Sequence, residues 1–147
     1  MKLEQLLEGL KYRCEAGNTE REVAAVINDS RKLCKDCLFL CIVGANFDGH
    51  SKVMEAVEKG AAVLVVSREL PREVLESGIT VIRVEDTRYA MAFISAAWFG
   101  HPARKLTTIG ITGTKGKTTT TYLVKSILEH AGHKVGLVGT IEAIIGD

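Results

Sequence analysis

An alternation of short apolar runs with segments of helical spacing constrains the fold of this chain more than any other feature. Runs with the composition of buried strands occupy residues 23–27, 37–43, 61–66, 79–84, 106–112 and 134–140. Between them, apolar residues recur at helical spacing in residues 51–60, 71–78, 87–100 and 117–132. Strands that alternate with helices predict an α/β fold with a largely parallel sheet, because parallel neighbours need crossover connections.

Glycine and proline mark the ends of these helical segments. Gly60, Gly78, Gly100 and Gly132 each follow a helical segment, at the position where a left-handed residue commonly ends a helix. Pro71 begins its helix, where a missing N–H group costs nothing. Both kinds of residue support the predicted helix boundaries.

The segment GHPARK, residues 100–105, has the composition of a linker. About a hundred residues precede it, enough for a compact domain. After it come only a strand, a loop, a helix and a strand, which cannot cover both faces of a parallel sheet. We therefore expect a first domain over residues 1–103 and the opening part of a second, truncated domain over residues 104–147.

Charge and hydropathy exclude several classes of partner. The formal net charge is +1, so no general electrostatic argument favours nucleic acid or an anionic membrane. Apolar runs such as Ala61 to Val66 are far too short to cross a bilayer. The first residues have charges between their apolar positions, unlike the core of a signal peptide. We expect a cytoplasmic protein with no nucleic-acid or membrane partner.

The cysteines allow two interpretations. Cys34 and Cys37 have the two-residue gap of a metal knuckle, but the sequence lacks a second ligand pair at suitable spacing. Cys41 lies in an apolar run and is expected to be a small buried hydrophobe. With Cys14, they are most simply four free thiols in a reducing compartment. The role of Cys34 and Cys37 stays open.

The stretch GITGTKGKTTT, residues 110–120, has the features of a phosphate-binding loop. Its glycines allow the backbone N–H groups to turn inward as a nest for phosphate oxygens. The following helix adds partial positive charge at its N-terminus. In such loops Lys117 would reach the β- and γ-phosphates, and the Thr118 hydroxyl would join the Mg²⁺ shell. The alternative is a glycine turn with solvated lysine and threonine side chains.

The glycine spacing of this loop is unusual, because Ile111 stands where the common phosphate loop has glycine. The pattern GxTGTxGKTT resembles the ATP loop of the Mur ligase family, which joins amino acids to UDP-N-acetylmuramic acid during peptidoglycan assembly. Folylpolyglutamate synthase is a more distant relative. The family usually has Asn or His where this chain has Lys115, which adds a cation near the phosphates and leaves the role of that position open.

This resemblance implies that ATP and Mg²⁺ are cofactors of the protein. Lys117 and Thr118 would be catalytic, with Thr118 as the Mg²⁺ ligand. The implied ATP-binding residues are Gly113, Thr114, Lys115, Gly116, Lys117, Thr118 and Thr119.

The first hundred residues carry a second resemblance to the same family. The motifs NDSR at residues 28–31, LFLCIVG at 38–44, DGH at 48–50 and AVEKGAAVLVV at 56–66 resemble the first domain of the tripeptide-forming Mur ligases in order and spacing. The family has Pro-Gly-Asp where this chain has residues 35–37, a change of turn that touches no expected ligand. The resemblance implies that the uridine diphosphate carrier is bound by Asn28, Ser30, Ala45, Asn46 and Phe47.

Plainer interpretations of these motifs stay open beside the family one. Asp29 and Arg31 would then form only a local ion pair, and residues 48–49 would be only a turn. His50 would cap the following helix rather than contact a ligand.

The family reaction implies an ATP-dependent amide-bond-forming ligase. It would add L-lysine or meso-diaminopimelate to UDP-MurNAc-L-Ala-D-Glu through an acyl phosphate, in the synthesis of cell-wall precursors. In the family the glutamate that completes the metal site and the amino-acid-binding domain come after residue 147, and Glu142 follows its strand too closely to be that ligand. We therefore expect this chain alone to be inactive, and the choice of diamino acid stays open.

Other functions compete with this prediction. The sister ligase that adds D-Ala-D-Ala shares the DSR and DGH layout but usually has Ser where this chain has Thr114. A non-catalytic UDP-sugar-binding module is the alternative if the gene ends here. A kinase or GTPase would have the standard glycine spacing in a loop near the N-terminus.

Overall fold

The computed structural model describes residues 1–45 and 47–145, and the chain divides into two compact units, Met1–Leu106 and Thr107–Asp147. The first unit contains α1 (Leu3–Leu6), β1 (Arg13–Ala16), β2 (Ala25–Ile27), β3 (Cys37–Leu40), α2 (Val53–Glu58), β4 (Val63–Val66), α3 (Arg72–Leu75), β5 (Thr80–Arg83) and α4 (Thr87–Trp98). Short 3-10 turns occupy Ser30–Lys32, Gly49–Lys52 and Pro102–Lys105. The second unit contains α5 (Lys117–His130), β6 (Leu137–Val138) and β7 (Ala143–Ile144).

The sheet of the first unit has the strand order β1-β5-β4-β3-β2. Strands β2 to β5 run parallel, so the prediction of an α/β fold with a largely parallel sheet is confirmed. Strand β1 pairs antiparallel with β5 at one edge and was not among the predicted strands. Its residues, RCEA, lack the apolar run by which the other strands were recognised.

Alternate residues of the central strands face two separate apolar cores, one on each side of the sheet. Leu38 of β3 and Val63 of β4 pack with α1 and α4 on one side. On the other side, Phe39 and Leu64 pack with α2 and α3. Every residue of β3 and β4 is buried, as expected for parallel strands covered on both faces.

Three of the predicted helix ends are confirmed by backbone conformation. Gly60, Gly100 and Gly132 directly follow the C-cap residues of α2, α4 and α5 and have φ values of +76°, +70° and +86°, which fit the left-handed residue that ends a helix. Gly78 is also left-handed, with φ +82°, but α3 ends at Leu75, so this helix stops earlier than predicted. Pro71 directly precedes the first residue of α3, one place before the position where proline is most favoured.

The second unit departs from the sequence-based expectation. Residues 106–112 were predicted to form a buried strand, and that prediction is wrong: all seven are described and none belongs to a strand. Leu106 is 66% exposed and Ile109 is 57% exposed. The described residues of this unit offer them no neighbouring strand, because its only sheet is the antiparallel pair of β6 and β7. Strand β6 is likewise shorter than the predicted run of residues 134–140.

Candidate functional site

The loop before α5 has a backbone that fits a phosphate-binding turn. Gly116 is the N-cap residue of α5 and has φ +76° and ψ −5°, a conformation that side chains other than those of Gly, Asn and Asp rarely adopt. A Cβ at this position would meet nothing within 4 Å. The glycine is therefore required by backbone conformation rather than by lack of space.

The start of α5 presents unused hydrogen-bond donors. The N–H groups of Lys117, Thr118 and Thr119 find no acceptor among the described residues, whereas the Thr120 N–H donates to the Gly116 carbonyl at 2.9 Å. The ammonium group of Lys117 donates to the Gly113 carbonyl at 2.6 Å, across the loop. Three free N–H groups, a lysine and the helix dipole together favour an anion at this point.

The remaining residues predicted to bind ATP lie in the same short segment. Gly113, Thr114, Lys115 and Thr119 are exposed, and Thr118 is half-buried. The loop therefore brings together all seven predicted positions, from Gly113 to Thr119. The role of Lys115 stays a prediction.

Glu142 lies near the N-terminal half of α5 and not in the loop. Its carboxylate accepts a hydrogen bond from the hydroxyl of Tyr122, and this contact raises the pKa of Tyr122. Its carbonyl accepts from the Gly139 N–H at 3.0 Å, which closes the turn between β6 and β7. Glu142 thus holds a structural contact between the helix and the hairpin.

Asn28 and Ser30 follow β2 at the carboxyl edge of the parallel sheet, where ligands bind in open α/β folds. The Asp29 carboxylate caps the 3-10 turn by accepting from the Arg31 N–H at 3.1 Å. It also accepts from the Arg31 guanidinium at 2.7 Å, and that hydrogen bond lowers the pKa of Asp29 to about 2. The local ion pair predicted as the plainer interpretation is present, and it holds the turn that carries Ser30.

The described residues after β3, 43–45 and 47–48, lie at the same edge because β3 is the parallel neighbour of β2. We call these described residues the 43–48 loop. Val43 and Asp48 form an antiparallel bridge at its base, and the Gly44 N–H donates to the Phe47 carbonyl at 2.7 Å. Ala45 is exposed and Phe47 is 49% exposed, while the predicted substrate residue Asn46 lies outside the described residues.

The motif Asp48-Gly49-His50 forms a turn, but His50 is not the helix cap that the plainer interpretation predicted. The Asp48 carboxylate caps the 3-10 turn by accepting from the His50 N–H at 3.0 Å. It also contacts the His50 Nδ1 at 2.7 Å, and these hydrogen bonds lower the pKa of Asp48. The His50 ring is buried, and its Nε2 accepts from the Ser67 N–H at 3.1 Å.

Three further side chains at this edge had no signal in the sequence. The Arg88 guanidinium donates to the Val43 carbonyl at 2.9 Å, and Asn28 Nδ2 lies 3.5 Å from the sulfur of Met91. Arg68 pairs with Asp48 at 2.7 Å. Each of these contacts joins residues from different elements, so no local pattern could reveal them.

The cysteines occupy different environments and all four are free thiols. Cys41 is buried as predicted, and burial raises the pKa of its thiol to about 12. Burial also raises the pKa of Cys37, whereas Cys14 and Cys34 are exposed. Among the described residues, no group of three or more His, Cys, Asp or Glu side chains could hold a metal ion.

No helix within residues 1–45 and 47–145 combines the length and apolar character needed to cross a membrane.

Two family descriptions match this sequence. Residues 22–99 match the Mur ligase family catalytic domain, and residues 111–146 match the Mur ligase middle domain. The first match covers more than half of the chain, and the second begins inside the loop that the sequence predicts to bind phosphate.

Curated relatives match over the whole chain. A UDP-N-acetylmuramoyl-L-alanyl-D-glutamate--2,6-diaminopimelate ligase of Clostridium perfringens is 45% identical over 147 residues, and a protein of the same name from Caldanaerobacter subterraneus is 46% identical. In both cases the match covers 100% of this chain and 30% of the relative. The chain therefore spans about a third or less of the length of these relatives.

Solved structures with a similar fold include MurF from Acinetobacter baumannii, with a TM-score of 0.64 and 28% identity. The match covers 88% of this chain and 27% of that chain. A D-alanyl-D-alanyl ligase structure from the same organism has a TM-score of 0.62.

Proposed function

Because this chain belongs to the Mur ligase family, we propose that the full-length protein is an ATP-dependent ligase of peptidoglycan precursor synthesis, working in the cytoplasm. It adds a diamino acid to UDP-MurNAc-L-Ala-D-Glu. The first unit binds the uridine diphosphate carrier and the loop of the second unit binds the terminal phosphates of ATP.

The observation that carries this proposal is the arrangement at the start of α5. Three N–H groups, at Lys117, Thr118 and Thr119, have no acceptor within the described residues, and the ammonium group of Lys117 is held 2.6 Å from the Gly113 carbonyl. A nucleotide phosphate would take over both sets of donors, because anions bind where helix N-terminal amides and a cation converge.

The chemistry follows from the charges on this loop. Phosphoryl transfer to a carboxylate develops charge on the transferring group, and Lys117 stabilises that charge electrostatically. The half-buried Thr118 hydroxyl would hold Mg²⁺, which supplies further neutralisation when bound. The acyl phosphate formed on the D-glutamate carboxyl is then attacked by the amine of the diamino acid, which releases phosphate.

The diamino acid is 2,6-diaminopimelate in this proposal. Support comes from the relatives that are 45% and 46% identical to this chain, both of which are named 2,6-diaminopimelate ligases. The likeness to MurF is a likeness of fold at 28% identity and gives the D-Ala-D-Ala alternative no comparable support. The 147-residue chain alone is inactive in this proposal, because the amine site of such a ligase is expected outside it.

The test is phosphate release by the full-length protein with ATP, Mg²⁺, UDP-MurNAc-L-Ala-D-Glu and one of three amines. We expect release with meso-diaminopimelate, and far less with L-lysine or D-Ala-D-Ala. Lys117→Ala should lower kcat on the order of 10²–10³-fold, as for loss of a charge-stabilising donor. Lys125→Ala is the matched control, since Lys125 lies on the same helix and its one ion pair within the described part of the chain is with Glu129, at 2.6 Å. Phosphate release unaffected by Lys117→Ala would contradict the role of the loop.

A further inference from the structure

The 43–48 loop is held to the rest of the first unit at both of its ends. Val43 and Asp48 are the two end residues, and they form an antiparallel bridge with each other. The loop carries Ala45 and Phe47, two of the residues predicted to meet the uridine diphosphate carrier. The contacts that hold Val43 and Asp48 therefore determine the positions of Ala45 and Phe47.

His50 links Asp48, the second end residue of the loop, to Ser67, which directly follows β4. The His50 side chain is 5% exposed and its ring is hydrogen-bonded at both nitrogens, with Nδ1 2.7 Å from the Asp48 carboxylate and Nε2 3.1 Å from the Ser67 nitrogen. Since Nε2 accepts from a backbone N–H, the ring is the neutral tautomer with its proton on Nδ1. An apolar side chain would fill the same space but would leave the Ser67 N–H without a partner.

Close packing at Gly49, the residue after Asp48, restricts the same end of the loop. A Cβ on Gly49 would lie 2.8 Å from the Ile42 nitrogen and 2.9 Å from the Cys41 Cα. The backbone at Gly49 is therefore packed against Cys41 and Ile42, which directly follow β3, and it has little freedom to move.

Arg88 links Val43, the first end residue of the loop, to α4. Its guanidinium donates two hydrogen bonds to the Val43 carbonyl, at 2.9 and 3.3 Å. Arg88 and Met91 are three residues apart on α4 and so lie on one face of the helix. Met91 contacts Asn28, which is another predicted substrate residue. One face of α4 thus touches both segments of the candidate uridine site.

We propose that His50 and Arg88 are positioning residues, which hold the 43–48 loop in register with Asn28 for the uridine diphosphate carrier. This inference rests on the proposed function of the first unit. Neither residue needs to contact the carrier: His50 acts through Asp48 and Ser67, and Arg88 acts through the carbonyl of Val43.

The experiment measures KM and kcat of the full-length protein for UDP-MurNAc-L-Ala-D-Glu and for ATP. For His50→Ala and Arg88→Met we expect KM for the carrier to rise about tenfold, the effect of losing one well-placed polar contact. KM for ATP should stay within about twofold, because the phosphate loop belongs to the other unit. A loss of folded protein would lower the apparent kcat and leave both KM values unchanged, so the split separates positioning from stability.

Two variants sharpen the test. His50→Gln should recover part of the loss, because the glutamine oxygen can accept from the Ser67 N–H. Arg72→Met is the matched control: Arg72 is also an arginine in the first turn of a helix and is exposed, and its one ion pair among the described residues is with Glu76, the C-cap residue of that helix. Arg88 is exposed too, so Arg88→Met keeps the test informative if His50→Ala does not fold.

The outcomes separate the two proposals. If Arg88→Met raises KM for the carrier no more than Arg72→Met does, the positioning role is wrong and the ligase function stands. If the wild-type protein shows no saturable dependence on the carrier, the ligase function fails and the positioning role fails with it.

Discussion

The two units of this chain differ in what covers their secondary structure. In the first unit, helices pack on both faces of the sheet, and β3 and β4 are buried along their whole length. In the second unit, α5 has no buried residue, and Leu137 is the one buried position among the residues described there. Leu123 and Ile127, one helical turn apart on α5, are 59% and 67% exposed.

This contrast shows which features form locally and which need neighbours. The glycine turn, the helix start at Lys117 and the length of α5 follow from local backbone preferences and are present with almost no burial. A parallel strand obtains its hydrogen bonds only from other strands, and no strand in the described part of the chain pairs with residues 106–112. The first unit is therefore held together by its core, and the candidate phosphate site by its turn.

The largest expected effect compares matched leucines in the two units. Leu64→Ala in β4 removes a side chain that is fully buried, and we expect it to lower the free energy of unfolding by about 2–5 kcal/mol. Leu123→Ala on α5 removes a side chain that is 59% exposed and should change it by less than about 0.5 kcal/mol. Urea unfolding followed by the fluorescence of Trp98 measures the first, and amide hydrogen exchange along α5 measures the second. If the two substitutions lowered the free energy of unfolding equally, the contrast between the units would be contradicted.

Glycine substitutions should distinguish packing from backbone conformation. Gly49→Ala places a Cβ 2.8 Å from the Ile42 nitrogen, and we expect it to destabilise the first unit by about 1–3 kcal/mol. Gly116→Ala meets no atom within 4 Å but holds φ at +76°, so its cost is conformational and about 1 kcal/mol.

Asparagine provides the control for this pair, because it adopts left-handed conformations more readily than alanine. Circular dichroism should show more helix in Gly116→Asn than in Gly116→Ala, whereas Gly49→Asn should be no better than Gly49→Ala. A Gly116→Asn variant as damaged as Gly116→Ala would mean that space, and not φ, limits the loop.

A smaller effect is expected at Asp36, where the family pattern has glycine. Asp36 has φ +57°, and its backbone is held by hydrogen bonds of 2.8 Å to Gly60 and from Ala24. Asp36→Gly relieves the left-handed strain but adds freedom to the unfolded chain, so we expect a net gain of at most about 1 kcal/mol. Thermal unfolding should show a higher midpoint for Asp36→Gly and a lower one for Asp36→Val. A lower midpoint for glycine would show that Asp36 contributes more than its conformation costs.

The smallest effect concerns the ion pair beside Ser30. The Arg31 guanidinium lowers the pKa of Asp29 to about 2, so the pair contributes stability above the ordinary Asp pKa and loses it as pH falls towards 2. Because the pair is exposed, its effect on global unfolding is small. A ¹³C NMR titration of the Asp29 carboxyl carbon should give a midpoint below the ordinary value, and Arg31→Gln should raise it only part of the way back, because the backbone N–H of residue 31 still donates to Asp29. An unchanged midpoint in Arg31→Gln would assign the shift to another cause.

Much of the first unit could be predicted from the sequence, because its strands and helices have regular patterns of apolar residues. Buried parallel strands are apolar throughout, and helices end at glycines, so β3, β4 and the ends at Gly60 and Gly100 were recognisable. Strand β1 was not, because an edge strand with exposed residues has no such run. Its place is decided by pairing with β5, far along the chain.

The candidate sites divide in the same way. The phosphate loop is one contiguous segment, so its seven residues could be found by motif alone, whereas their binding role stays a prediction. The residues that hold the 43–48 loop could not be found from the sequence, because Arg88 and Ser67 come close to it only when the sheet has formed. The left-handed Asp36 was also hidden, since only the resemblance to a glycine-containing turn hinted at it.

The central claim is a division of labour: the first unit recognises the uridine carrier and the loop of the second unit holds nucleotide phosphates. The most direct test is ¹⁵N NMR of the 147-residue chain titrated in parallel with UDP and ADP, which share a diphosphate and differ in the base. We predict that UDP, and not ADP, shifts the amide signals of residues 28–30, 45 and 47, while ADP shifts those of residues 113–119. Identical shifts from both nucleotides, or no response to UDP around Ser30, would contradict the account.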